Sequence, residues 1–291
     1  MLYTVEGLDA SGKSTLIENL SEWAADNQFN SRYIQHERVQ KDTDILLTQE
    51  PTTQETGQKV REALGSEEGE FHPMSVLFRF LADHAYHINN QLPTRFLQEK
   101  LVFTDRYTGS RAAYQSQSVA DYFETDPLPK IRELHHKSLS VKPNSRYIDL
   151  GKTALSARTT GQNTTTSYHP LVYYFFGLGE NPTDELSYPI SDFSDLPDLA
   201  VEESECPPNW SYVPTKQFYL DTSLDVIESR LQENSDTEIF EKRSFLESVQ
   251  ESYERLIDHS DSSYIRINPS NYQNYYEIVE QVIAPEIFDK D

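Results

Sequence analysis

Cysteine is almost missing from this chain. Cys206 stands alone among 291 residues, so neither an intrachain disulfide nor a cysteine-based zinc cage is available. Basic residues are few: 25 Lys and Arg face 48 Asp and Glu, a formal net charge of −23. A surface of that sign repels phosphate backbones and argues against a nucleic-acid partner. Long apolar runs are also absent. The longest, Leu171–Phe176, is far too short to cross a bilayer. The opening residues Met1-Leu2-Tyr3-Thr4-Val5-Glu6 carry no basic n-region and no cleavage site, so no secretory signal is expected. These absences predict a soluble, cytoplasmic protein with no membrane partner.

Hydrophobic content is low at 36%, yet 18 Tyr and 14 Phe are too many aromatics for a disordered chain. The acids are scattered rather than gathered in a tail. Dispersed carboxylates are tolerated where salt screens their repulsion, so the composition points to a high-salt, halophilic source.

Strand-like and helix-like stretches alternate, which favours an α/β architecture. Leu2–Glu6 is a β-prone run ending at a glycine. Leu16, Ile17, Leu20 and Trp23 then recur at helical spacing. Ile45–Thr48 and Leu101–Thr104 read as strands, with helical periodicity over Met74–Ile88 between them. Later, strands are expected at Gln217–Leu220 and Tyr264–Ile267, and helices at Leu224–Leu231, Phe245–Ile257 and Tyr275–Val282. Residues 145–216 break the rhythm. They are rich in Thr, Ser, Pro, Asn and Asp, with an aromatic cluster at Tyr173–Phe176, and only Arg146–Leu150 is strand-like. So long an irregular connection is read as an insertion. A packed rather than a solvated insertion is expected, because an exposed aromatic cluster invites association.

The strongest signal is Gly7-Leu8-Asp9-Ala10-Ser11-Gly12-Lys13-Ser14-Thr15, a complete G-x-x-x-x-G-K-[ST] phosphate loop between a β-prone run and an amphipathic helix. Glycine lets the backbone wrap phosphate oxygens, and the following helix adds partial positive charge. Lys13 suits the β- and γ-phosphates of a nucleotide, and Ser14 suits Mg²⁺. In a chain with 10 glycines, an accidental match is improbable. A second signal is Asp105-Arg106-Tyr107 at a strand end, followed by Ser110, Ala113, Tyr114 and Gln115. An acid there suits Mg²⁺-water or acceptor positioning, and the arginine can clamp a phosphate with two parallel bonds. No N-K-x-D motif is present, which argues against a guanine-reading switch.

Together, Glu6-Gly7-Leu8-Asp9, the loop, Thr48-Gln49-Glu50-Pro51, Phe80–His87, Asp105-Arg106-Tyr107 and Ser110–Gln115 resemble the thymidylate kinase family. Phe218–Asp221, Ile239–Lys242 and Phe245–Glu247 are similar to its archaeal members. The resemblance covers residues 1–144 and 217–285, so residues 1–144 and 217–291 are expected to form a nucleoside monophosphate kinase domain around the 145–216 insertion. It implies a P-loop NTPase fold with a parallel five-stranded sheet flanked by helices. It implies ATP and a pyrimidine deoxynucleoside monophosphate as substrates, Mg²⁺, and a homodimer. On the same resemblance Lys13, Ser14 and Thr15 hold donor phosphates and metal, with Asp105 as a further metal contact. Asp9 binds the acceptor sugar, Arg106 the acceptor phosphate, and Asp105 is its acidic partner. Phe80 stacks on the base, Tyr114 lies under the sugar, and Gln115 is a nearby polar contact beside Ser110.

Three departures qualify the resemblance. Gln49 replaces an arginine expected near the acceptor phosphate. His84 stands where an arginine usually reads the thymine carbonyl, so base choice is expected to be relaxed and a His84→Arg exchange to sharpen it. Arg111 replaces a small or amide residue and could restore charge near the acceptor. The transferring phosphoryl group also needs a further cation, because the loop position often held by arginine is Ala10 and Gln232–Glu241 contains no basic residue. Arg243 is the first candidate, ahead of Lys242, and Arg158 the second. A deoxynucleoside kinase and a nucleotide-binding module without catalysis stay open as alternatives.

Overall fold

The structure, a computed structural model, describes residues 1–34, 43–66, 71–88, 92, 100–132, 213–233, 242–259 and 263–288. The expected insertion lies outside them except for its last four residues, as do Arg158, Cys206, the Tyr173–Phe176 cluster and most of Gln232–Glu241.

β1 (Leu2–Gly7) is buried along its entire length. That suits a central parallel strand covered on both faces, whose sequence need not alternate. It pairs in parallel with β4 (Leu101–Asp105) on one side and β5 (Lys216–Leu220) on the other. β3 (Ile45–Gln49) and β2 (Ser31–Tyr33) extend the sheet beyond β4, and β6 (Tyr264–Ile267) beyond β5. The six strands, all parallel, run β2-β3-β4-β1-β5-β6. Among the described residues the sheet thus has six strands rather than five. β2 escapes sequence reading because its three residues are exposed or half-buried and carry no alternation. Because the chain leaves β1 toward one edge and later returns to the other, the carboxyl end of β1 is a switch point, where open α/β sheets form crevices for ligands.

α1 (Lys13–Asp26) buries Leu16, Ile17, Leu20, Trp23 and Ala24, the stripe that the spacing predicts. This face meets Tyr3 and Val5 of β1 and Phe218 of β5 in one core. Each fully buried Leu or Ile there contributes roughly 1.5–3 kcal/mol of burial free energy. α2 (Glu55–Leu64) has no strong sequence signal, since its buried stripe is only Gly57, Val60, Ala63 and Leu64. It packs on α3 (Pro73–Tyr86), and α4 (Thr108–Ser118) packs on α6 (Arg243–Asp258), which follows α5 (Leu224–Glu233). At the end α7 (Tyr275–Ile278) continues through a π turn (Val279–Ile283) into α8 (Ala284–Phe288). Trp23, Phe29 and Phe288 stack with centroids 4.9–6.0 Å apart, fastening this last helical segment to α1. Among the described residues no helix is long and apolar enough to cross a membrane.

The surface charge makes stability depend on salt. With a formal charge of −23, screening relieves carboxylate repulsion, so the melting temperature is expected to rise between 0.1 M and molar KCl. A flat or falling melting curve over that range would contradict the high-salt reading.

Candidate active site

The loop after β1 is shaped by its two glycines. Gly7 has φ 143° and Gly12 φ 102°, backbone conformations that side chains rarely adopt. Space forbids a substitution as well: a Cβ on Gly12 would lie 1.8 Å from the Tyr275 hydroxyl oxygen. The loop carbonyls are pinned from outside. Arg230 of α5 donates to the Ala10 carbonyl (2.7 Å), while Thr222 and Tyr275 donate to the Ser11 carbonyl (3.0 and 3.2 Å). Lys13 folds into the loop and donates to the Leu8 carbonyl (2.5 Å). Burial and the nearby Arg106 charge lower the Lys13 pKa to about 8. Ser14 Oγ donates to Asp105 Oδ2 (2.7 Å), and Asp105 Oδ1 is buried with no hydrogen-bond partner. Over the loop lies a cavity of about 500 Å³, with Lys13, Ser14 and Thr15 on its floor and Asp105, Arg230 and Tyr275 in its walls.

Asp9 and Arg106 also line this cavity, and both line a second one of about 160 Å³. Arg106 has φ 65°, a left-handed conformation uncommon outside glycine, at the turn from β4 into α4. Its guanidinium pairs with the Asp9 carboxylate, donates to the Gly7 carbonyl (3.2 Å) and lies 5.1 Å from the Tyr114 ring centre. Burial alone would raise the Asp9 pKa, but Arg106 and Lys13 outweigh it and lower it. The Asp9 amide donates to the Tyr114 hydroxyl (2.8 Å). Phe80, Tyr114, Arg61, Ser110, Arg111 and Gln115 also line the second cavity. The Ser110 hydroxyl is already committed, donating to Glu6 and accepting from Tyr253 (2.7 Å).

Part of the wall of this cavity is a buried ionic cluster, of which Glu50 and Arg111 line the cavity and His84 and His87 do not. Glu50 accepts from His84 Nδ1 (2.8 Å), from His87 Nδ1 (2.7 Å) and from Arg111. Burial would raise the Glu50 pKa, yet Arg111 and His84 hold it well below the usual carboxylate range. Burial, then the Arg111 charge, lowers the His84 pKa to about 4, so this ring is neutral at pH 7.

Most residues expected at the site line one cavity or the other: Asp9, Ala10 and Gly12–Thr15 of the loop, Asp105, Arg106, Phe80, Ser110, Arg111, Tyr114 and Gln115, whereas Gly7 and Ser11 line neither. Leu8 instead points into the core, 1% exposed. His84 is 1% exposed and lines neither cavity: its Nδ1 is used on Glu50, its Nε2 is buried without a hydrogen-bond partner, and its ring packs edge-on against Tyr107. An arginine in its place would set a second guanidinium beside Arg111, so the exchange expected to sharpen base choice would disrupt the cluster instead. Arg243 also stands apart. It bonds Asp225, Glu228 and Glu247 on the surface and lines neither cavity. Arg61, Arg230 and Tyr275 were not anticipated. A signal existed for Arg230, a basic residue in an acidic chain on the helix leaving a strand's carboxyl end; none existed for Tyr275, whose place depends on the fold.

Two cavities that meet at one aspartate and one arginine let two phosphate-bearing molecules approach each other, with a phosphate loop beneath one of them. That arrangement puts the protein in the class of phosphate-loop phosphotransferases. The family profile for thymidylate kinase matches residues 5–125. The chain is 35% identical over 148 residues to a probable thymidylate kinase of Methanoculleus marisnigri, covering 51% of this chain and 62% of that protein. It is 32% identical over 165 residues to a probable thymidylate kinase of Halobacterium salinarum, covering 56% of this chain and 72% of the relative. The chain belongs to the thymidylate kinase family, of the archaeal type.

Proposed function

We propose that this protein transfers the γ-phosphate of ATP to thymidine 5′-monophosphate, releasing ADP and thymidine 5′-diphosphate. One observation carries the reading: Asp9 and Arg106 wall both cavities, so a donor on the phosphate loop and an acceptor beside Phe80 and Tyr114 meet across one shared pair. ATP lies over the loop, its phosphates on Lys13 and Thr15. The acceptor base packs on Phe80, its sugar lies near Asp9 and Tyr114, and its phosphate faces Arg106. An acceptor phosphate oxygen attacks the γ-phosphorus in line, and the bond to the ADP oxygen breaks. The protein's part is positioning and charge neutralisation. Arg61, which bonds the Pro51 and Thr52 carbonyls at the cavity wall, supplies positive charge that Gln49 cannot.

The Ser14 hydroxyl and the unpartnered buried Asp105 oxygen are hard oxygen donors of the kind Mg²⁺ takes in small number when phosphates and waters complete its shell. These two residues would hold the ion, which supplies charge neutralisation between donor phosphates. The resemblance also implies a homodimer working in the cytoplasm, and sedimentation velocity would read its oligomeric state.

The test is ADP release with thymidine and with the 5′-monophosphates of thymidine, deoxyuridine, deoxycytidine and deoxyguanosine. Release is expected with thymidine monophosphate and not with thymidine. Release with thymidine alone would make the protein a deoxynucleoside kinase. No acceptor-dependent release would leave a nucleotide-binding module.

Three further outcomes concern the donor side. Arg230→Ala is expected to raise the KM for ATP by roughly 10–100-fold, the effect of one charged contact and a released loop carbonyl. Arg243→Ala should leave kcat within about threefold, since an exposed arginine held by surface acids contributes little. A hundredfold fall in kcat for Arg243→Ala would return the catalytic charge to that residue. Third, Lys13 must regain its proton against ATP phosphates. With its pKa near 8, ATP binding at pH 8.5 should take up about 0.7 proton. Calorimetry in buffers of different ionisation enthalpy reads this uptake, and no uptake would contradict the lowered pKa.

A further inference from the structure

We propose that Arg111, held in place by Glu50 and His84, reads a carbonyl oxygen on the acceptor base and so distinguishes 4-oxo from 4-amino pyrimidines. This inference rests on the reading of the second cavity as the acceptor site.

Arg111 is 3% exposed and lines only the second of the two cavities. A guanidinium carries five N–H donors. Its Nη1 is taken by Glu50, whereas its Nε and Nη2 are buried with no hydrogen-bond partner. An unpaired buried donor is costly, so a site that keeps two has a use for them. Four residues further along the same helix face, Gln115 Nε2 is buried and unpartnered too. The Gln115 carbonyl oxygen has a contact from Ser118 Oγ (3.5 Å). One face of α4 therefore presents donors whose bonds are unmade.

The chemistry of the missing acceptor follows from the neighbours. Glu50 is ionised and already neutralises Arg111. A phosphate at this end would bring further negative charge beside that carboxylate, while Arg106 serves the end shared with the donor cavity. Phe80 and Tyr114 add aromatic walls. A neutral, flat ring bearing carbonyl oxygens fits donors and aromatic walls together. A 4-amino base would oppose donor to donor.

His84 acts through Glu50. It and His87 both donate Nδ1–H to one Glu50 oxygen, and Thr48 Oγ1 lies 2.8 Å from His87 Nε2. Fixed by two imidazoles, the carboxylate presents its other oxygen to Arg111. His84 is thus a positioning residue.

The experiment crosses protein with ligand. Wild-type enzyme, Arg111→Gln, His84→Phe and His84→Asn are each assayed for kcat and KM with thymidine monophosphate, deoxycytidine monophosphate, and the pyrimidin-2-one deoxynucleotide that lacks the 4-oxygen. Wild type is expected to favour thymidine monophosphate over both others by roughly 10–100-fold in kcat/KM. Arg111→Gln should lose about that factor on thymidine monophosphate and almost nothing more on the 4-deoxo analogue, the signature of a shared contact. His84→Phe should lose part of the preference, mainly through KM. His84→Asn should restore it, because its amide stands where Nδ1 stood. Equal use of thymidine monophosphate and the analogue by wild type would overturn the inference, as would Arg111→Gln lowering all three evenly. If Arg111→Gln does not fold, the wild-type comparison decides. Failure of wild type to phosphorylate any monophosphate would sink the proposed function and this inference with it, whereas phosphorylation without base preference sinks only the inference.

Discussion

Arg106→Ala is expected to lower kcat/KM by roughly 10³-fold or more, the scale of removing an arginine from a phosphoryl-transfer site. The loss is compound. The cavity junction loses its cation, and Asp9, whose carboxylate Arg106 stabilises, keeps only the Lys13 charge beside it while facing two anionic substrates. Arg106→Lys should recover less than about tenfold, because an ammonium cannot present the fork that reaches Asp9 and the Gly7 carbonyl together. Steady-state kinetics with each substrate varied will read both changes. Activity of Arg106→Ala within tenfold of wild type would move acceptor binding elsewhere.

The largest stability effect is expected at Glu50. Removing one partner of a buried ionic cluster leaves the others uncompensated, which costs about 3–5 kcal/mol. In Glu50→Ala those others are the Arg111 guanidinium and two imidazole N–H groups. The melting temperature should fall by about 10 °C, at roughly 2–4 °C per kcal/mol for a domain of this size. The sign with pH follows from the lowered Glu50 pKa. Its stabilisation is present above the unfolded carboxylate pKa and is lost as pH falls from there toward the folded value, so the gap between wild type and Glu50→Ala should narrow below about pH 4.5. A gap that is small at pH 7 would mean that the cluster contributes no net stability, and one unchanged at pH 4 would contradict the lowered Glu50 pKa.

How much of this was legible in the sequence differs by the physics involved. Buried parallel strands and amphipathic helices advertise themselves, so β1, β3, β4, β5 and β6 and the apolar stripe of α1 could be read directly. β2 could not, because its few edge residues bury too little to leave a pattern. The phosphate loop is legible for another reason: wrapping backbone around phosphate demands glycines and a lysine at fixed spacing, and Tyr275 over Gly12 shows how closely that backbone is approached. The surroundings of His84 were not legible, because a resemblance fixes its alignment but not what covers its side chain. That side chain meets Glu50, and a carboxylate able to take two imidazoles and a guanidinium draws the ring away from the cavity. The surroundings of Arg243 were hidden likewise, since position after the lid segment says nothing of the three acids that it meets.

The Tyr275 contact also bears on how the protein is made. Ser11 and Tyr275, joined through one hydroxyl, lie 264 positions apart. The central strand that carries the loop likewise waits for β5, which is synthesised only after residue 215. While the ribosome is still delivering that stretch, the phosphate loop has four of the six described strands, none on the β5 side of β1, and no Tyr275 beside it. Chains usually fold domain by domain from the amino terminus as they emerge. Here a loop made early completes its surroundings only once β5 and Tyr275 have been made.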